Sequence, residues 1–245
     1  MRQYEAVILT MKQLGGVATL GQLYQHVLDV PGCEWQTKTP FASIRRIVQT
    51  RKEIYKIKPG LYGLVSKKSE IEQRGILAET SKNRRTKEVA ASSHTYYQGI
   101  LLLVGKMKEY DTFAPRQDSN KVFLDKTIGE LRTLDEIPPF SYPQIVRRSQ
   151  TVDATWFNER RMPAAFFEVE FAGDIQNSLL KFNDLQDFSA RMTIVSDSRR
   201  RQECRSKLGY ASFRDVRDRV KFLDFHSLVK QYEGLMAAAA GEVVL

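Results

Sequence analysis

The chain has 245 residues, 42% of them hydrophobic, and its 38 Lys+Arg against 29 Asp+Glu give a formal charge of +9, so it is long enough for one large or two modest domains with their own cores. No apolar run reaches the roughly 18 residues of a bilayer span, and the start Met1-Arg2-Gln3-Tyr4-Glu5 lacks the apolar stretch of a secretory signal. The isolated Cys33 and Cys204 and the scattered His26, His94 and His226 argue against a disulfide framework or a zinc site, and a cytoplasmic protein with no membrane partner is expected.

The first elements read as helices. Tyr4 to Leu14 places Ala6, Val7, Ile8, Met11 and Leu14 at helical spacing before Gly15-Gly16. Thr19 caps a second helix to Leu28, and Pro40 opens a third, Phe41 to Gln49. Two short strands then flank Pro59-Gly60, from Glu53 to Lys58 and from Leu61 to Val65. Three helices and a hairpin predict a winged helix over 1–66. Ile44 and Ile47 of the third helix point inward, which leaves Ser43, Arg45, Arg46, Gln49 and Arg51 for an exposed face. Arginines there suit phosphate or guanine and Gln suits adenine, with Lys56 and Lys58 of the hairpin placed for flanking backbone. Residues 67–93 are polar and basic and are expected to form a linker, partly helical through Ile71, Ile76 and Leu77. Residues 1–93 hold 16 Lys+Arg and 8 Asp+Glu, whereas 94–245 hold 22 and 21, so a basic module precedes a nearly neutral one. Nucleic acid is the polyanion such a module would hold, although a positive face also serves solubility.

From residue 94 a mixed α/β pattern follows. Tyr96 to Met107 is an apolar helix. Thr151 to Phe157 and Ala164 to Phe171 are β-branched and aromatic runs on either side of a polar turn. Further elements are a helix from Asp174 to Phe188, a strand from Ala190 to Ser196, a helix from Arg199 to Leu208, a strand from Val220 to Phe225 and a helix from Ser227 to Ala237. Strands separated by helices imply at least partly parallel pairing.

The hairpin carries the chemistry. Symmetric folding about its turn pairs positions that sum to 321, setting Asp153 opposite Glu168 with β-carbons roughly 4.5–5.5 Å apart, and Glu170 shares the Glu168 face. Like charges so close ionise together only beside a cation, and a hard, oxygen-seeking ion such as Mg²⁺ or Mn²⁺ answers that need. The plainer alternative is a solvated strand face whose acids pair with Arg147, Arg148 or Lys181.

The front module resembles the helix-turn-helix modules found before restriction endonucleases and in some chromatin proteins, through the spacing from Pro40 to Gly60-Leu61-Tyr62-Gly63-Leu64. The back module resembles the PD-(D/E)XK nuclease superfamily over about residues 94 to 225. Asp153 matches its first acid, Glu168 its second, and Glu170 stands where lysine is usual. Together these predict an α+β or α/β chain: a winged helix-turn-helix over 1–66, a basic linker over 67–93 and a restriction endonuclease-like mixed-sheet domain over 94–245. The resemblance implies a homodimeric, Mg²⁺-dependent nuclease for double-stranded DNA with a restriction or defence role. Asp153 and Glu168 would bind metal, Glu170 would complete the catalytic set, and Lys181 and Gln98 are auxiliary candidates. The basic clusters Arg199-Arg200-Arg201 with Arg205, and Arg214 with Arg217 and Arg219, are candidates for phosphate contact or for solvated faces. A DNA-binding regulator with an inactive nuclease fold, and a nuclease for RNA or modified DNA, are the alternatives.

Overall fold

A computed structural model of the chain describes residues 1–84 and 86–241. Arg85, in the predicted basic linker, and residues 242–245, at the end of the predicted C-terminal domain, lie outside the described residues. The chain is an α+β protein that divides into two compact units, Met1–Ser93 with Val229–Leu245, and His94–Leu228.

The first unit contains α1 (Gln3–Gln13), β1 (Val17–Thr19), α2 (Leu20–His26), α3 (Pro40–Thr50), β2 (Ile54–Lys58), β3 (Leu61–Leu64) and α4 (Lys68–Gln73). Ala6, Val7 and Met11 of α1, Leu23 of α2, and Ile44 and Val48 of α3 close on one core. The cap expected at Thr19 forms: its hydroxyl accepts from the Gln22 amide at 3.1 Å, and the Gln22 side chain accepts from the Thr19 N–H at 2.9 Å. Sequence periodicity does not reveal β1, which is three residues long and completes an antiparallel sheet of order β1-β3-β2. Residues 229–241 pack within this unit, and Gly21 leaves room for them. A Cβ at Gly21 would come within 2.7 Å of Met236 and 2.9 Å of Tyr232, and the Tyr232 and Thr19 hydroxyls are 3.2 Å apart.

The second unit takes up α5 (Lys87–Met107) at His94, followed by β4 (Asp111–Phe113), the small hairpin β5 (Val122–Phe123) and β6 (Lys126–Thr127), α6 (Ile128–Leu131) and α7 (Pro143–Ser149). Then come β7 (Ala154–Phe157), β8 (Pro163–Glu170), α8 (Ile175–Asp184), β9 (Arg191–Ser196), α9 (Arg201–Leu208), β10 (Val220–Asp224) and the start of α10 (Phe225–Ala239). The central sheet has the order β10-β9-β8-β7-β4. Its β8, β9 and β10 are parallel, and β4, β7 and β8 are antiparallel. The crossover helices α8 and α9 cover one face, where Leu179, Phe182 and Cys204 meet Phe166, Met192 and Ile194.

The hairpin register is the one that the residue pattern predicts. Ala154 faces Phe167, Thr155 faces Phe166 and Trp156 faces Ala165, all summing to 321, before the pairing slips at Phe157 and Pro163. The slip adjoins a turn held by the Asn158 side chain, which accepts from the Arg160 and Met162 amides at 3.0 and 3.1 Å. Among the described residues no helix is long and apolar enough to cross a membrane.

Candidate active site

The β7-β8 register brings the acids together. Asp153 immediately precedes β7, and its Oδ2 accepts from the Val169 amide of β8 at 2.7 Å, while its own N–H faces Glu168 Oε1 at 3.3 Å. Glu168 is 2% exposed and Glu170 9%, so neither lies on a solvated strand face. The alternation that puts these two side chains on one side of β8 is confirmed by a shared neighbour: the Ser178 hydroxyl of α8 lies 2.9 Å from Glu168 Oε2 and also reaches Glu170 Oε1.

Lys181, one turn along α8, donates to both Glu168 oxygens at 2.9 Å and to the Thr151 carbonyl at 2.7 Å. From α5, His94 Nε2 approaches Asp153 Oδ2 at 3.1 Å, and Gln98 Nε2 donates to the Asp153 carbonyl at 2.7 Å and to Asp118 Oδ2 at 2.9 Å. Both auxiliary candidates, Lys181 and Gln98, thus stand beside the acids. His94 and Ser178 escape the sequence reading, whereas Asp118 is among the polar residues that it places near a loop following the leading helix. The signal that could have found the first two is helical spacing, since His94 lies four residues before Gln98 and Ser178 three before Lys181, separations that share a helix face.

Electrostatics divide the three carboxyls. Burial, then the charge of Asp153, pushes Glu168 up to about 8, and burial likewise raises Glu170. Asp153 behaves oppositely: against the cost of burial, the charge and hydrogen bond of His94 hold it below the usual carboxylate range, and Asp153 in return raises His94 against its own burial. The Ser178 contacts agree with this division. One hydroxyl has one hydrogen to donate, so it satisfies Glu168 and Glu170 together only when one of those carboxyls is protonated and donates back.

Among the described residues no three His, Cys, Asp or Glu side chains are arranged as a group that could hold a metal ion, and Lys181 and Ser178 already bond the Glu168 oxygens. The donor set nevertheless has the chemistry of a hard-cation site. It supplies carboxylate oxygens alone, two of its three acids resist ionisation where they lie, and among the described residues no hydrogen bond engages Asp153 Oδ1 or Glu170 Oε2. Asp153, Glu168 and Glu170 supply those oxygens, in an arrangement that does not form a metal-holding group as they lie.

A family model described as the Type II restriction enzyme NmeDI C-terminal domain matches residues 76–240, more than half of the chain and all of the acidic cluster. The chain belongs to this restriction-enzyme family. No curated protein and no solved structure matches it.

In this family member the front residues 1–75 fall outside the matched region, and their side chains are placed unequally. Arg46, Gln49 and Lys56 are exposed and Ser43 is half-buried. The half-exposed Arg45 donates to the Tyr24 hydroxyl at 2.9 Å and lies 3.5 Å from Glu233, Gln49 hydrogen-bonds Tyr62, and Arg51 stacks 3.6 Å over the Tyr4 ring. Lys58 is a correction. It is 2% exposed, its ammonium donates to the Leu77 carbonyl and to Ser92 Oγ, and burial lowers it to about 8, which leaves it no face for a phosphate. The strand pairing explains why: β2 and β3 shift register between Lys56 and Lys58, so Ile57 and Lys58 both turn inward.

The arginine clusters of the family member are largely engaged within the chain. Arg200 bonds Glu203 and the Glu170 and Gly173 carbonyls, Arg201 lies 3.6 Å from Asp224, Arg217 caps the Leu208 carbonyl at 2.8 Å and Arg219 binds the Gln186 and Phe188 carbonyls.

Proposed function

We propose that this chain is a restriction-type DNA endonuclease, dependent on Mg²⁺ or Mn²⁺, with a PD-(D/E)XK-like catalytic unit and a winged-helix front unit that holds the duplex. One observation carries the reading: the buried Glu168 and Glu170 of β8 and the partly buried Asp153 beside β7 converge under a lysine within a restriction-enzyme family match. When bound at Asp153, Glu168 and Glu170, a divalent cation would lower the pKa of a water and stabilise charge on the phosphate.

The chain's own groups supply the rest. His94 and the Val169 amide fix the Asp153 carboxylate in its ionised form, and Gln98 anchors its backbone. Glu170 offers an acceptor, Oε2, that orients the attacking water. Lys181 neutralises Glu168 and stands where a cation can stabilise developing negative charge. Two copies, each cutting one strand, form the proposed active dimer.

The test is incubation with plasmid and genomic DNAs of different methylation, with and without Mg²⁺, followed by gel analysis. Cleavage that requires the ion is the expected result, and intact DNA under every condition would remove the reading. For the front unit, Arg46→Ala and Lys56→Ala are each expected to lower the slope of log affinity against log salt by about 1, as loss of one phosphate contact does. Lys58→Ala should leave that slope unchanged and lower thermal stability, because its ammonium serves the interior. A filter-binding salt series with melting curves checks both.

A second reading has its own support. Both Glu168 oxygens are already bonded, as they would be in a purely structural network, so a DNA-binding regulator with an inactive nuclease fold is the competitor.

A further inference from the structure

Within the His94–Leu228 unit, a cavity of about 380 Å³ lies between the β4 edge and the segment leading into Asp153, a size in the roughly 300–1,000 Å³ range of small-molecule sites. Its floor is apolar, formed by Phe113 and Ile137, and its rim is polar, with Gln117, Gln150, Asp135 and Glu136. Two of its walls are tied to the acidic cluster. Thr151, also in the lining, presents its carbonyl to the Lys181 ammonium that holds Glu168. On the other side Gln117 adjoins Asp118, which accepts from the same Gln98 nitrogen that binds the Asp153 carbonyl.

We infer that this cavity receives a nucleobase of the substrate DNA, turned out of its stack beside the phosphodiester that is cut; the inference rests on the endonuclease reading above. A base suits the lining better than a phosphate does. The rim carboxylates Asp135 and Glu136 repel an anion but accept hydrogen bonds from exocyclic amines, the Gln117 and Gln150 amides match base edges, and Phe113 with Ile137 offers the apolar surface that an unstacked ring needs. Arg116 closes onto Glu136 through an exposed ion pair. Such a pair is weakly held, so Arg116 can leave it as the base enters. Extruding a base costs pairing and stacking energy, and the contacts in the cavity offset that cost.

The test uses the full-length protein. Cut positions are first mapped on DNA digested with Mg²⁺. Duplexes carrying 2-aminopurine at each position flanking the mapped cut are then bound with Ca²⁺ in place of Mg²⁺. Fluorescence should rise several-fold at one position, and the rise should be lost in Gln117→Trp and in Gln150→Trp, which fill the cavity from its exposed rim. Circular dichroism and duplex-binding measurements verify that each variant is folded and still holds DNA. DNA that is cut while no flanking position brightens, or brightening that persists in both folded Trp variants, overturns the inference alone. Failure to cut any DNA overturns the endonuclease reading and this inference with it.

Discussion

Glu168→Gln is expected to lower Mg²⁺-dependent cleavage by on the order of 10³-fold, the upper range for loss of one group that stabilises transition-state charge, while duplex binding is kept. The same change should stabilise the metal-free protein at alkaline pH. Burial and the Asp153 charge raise the folded carboxyl to about 8, against about 4.3 when unfolded, so the folded state binds the proton more tightly. Its contribution to stability is therefore full below the unfolded value and is lost as pH rises through the folded one. Glutamine imitates the protonated form and carries no such loss. At pH 8.5, with metal chelated, its melting temperature should exceed that of the wild type by several degrees, since about 1 kcal/mol is worth about 2–4 °C in a chain of this size, and at pH 5 the difference should be small. Plasmid cleavage and calorimetric melting at the two pH values check both effects. A variant that still cuts, or that melts lower at pH 8.5, would contradict the assigned role and the buried charge.

Titration of Mn²⁺ into wild type and Asp153→Asn should separate enzyme from scaffold. Asp153 is the acid that remains ionised, held so by His94 and the Val169 amide, and therefore brings most of the negative charge that attracts a cation. Asparagine keeps the shape and can still accept from Val169. It loses the charge that pairs with His94, whose Nε2 faces the same Oδ2 that accepts from Val169. Mn²⁺ affinity should fall at least 10-fold and cleavage by on the order of 10²–10³-fold, beyond the 10–100-fold typical of an outer-shell partner. Equal heats in both proteins, or none in the wild type, would favour the regulator. Metal binding to the wild type also means displacement of Lys181 from Glu168, so the melting temperature should rise with Mn²⁺ concentration.

Much of the site was legible because it is local. Asp153, Glu168 and Glu170 lie on two strands joined by one short turn, and alternation with a symmetric hairpin register is enough to pair them. The partners that determine their chemistry come from elsewhere. Ser178 and Lys181 arrive on α8 and His94 and Gln98 on α5, and nothing in their immediate neighbours says which strand they will face. The stretch between α5 and β7 was the least legible, since β4, β5, β6 and α6 are two to four residues each, too short to show a period.

What residue order determined by itself is what depends on near neighbours: the inward Ile44 of α3, with Ile47 only partly buried and Val48 taking the second core position, the Thr19 cap, the hairpin register and the basic character of the front. Tertiary structure decided where charge ends up. It buried Lys58 against Leu77 and Ser92, held Arg45 beside Glu233, and set Lys181 onto Glu168. The physical reason is that a side chain's solvation and partners depend on elements distant in sequence. A lysine on a strand reads the same whether its ammonium meets water, a phosphate or a buried carbonyl, and the free energies of those three environments become different only once the chain has packed.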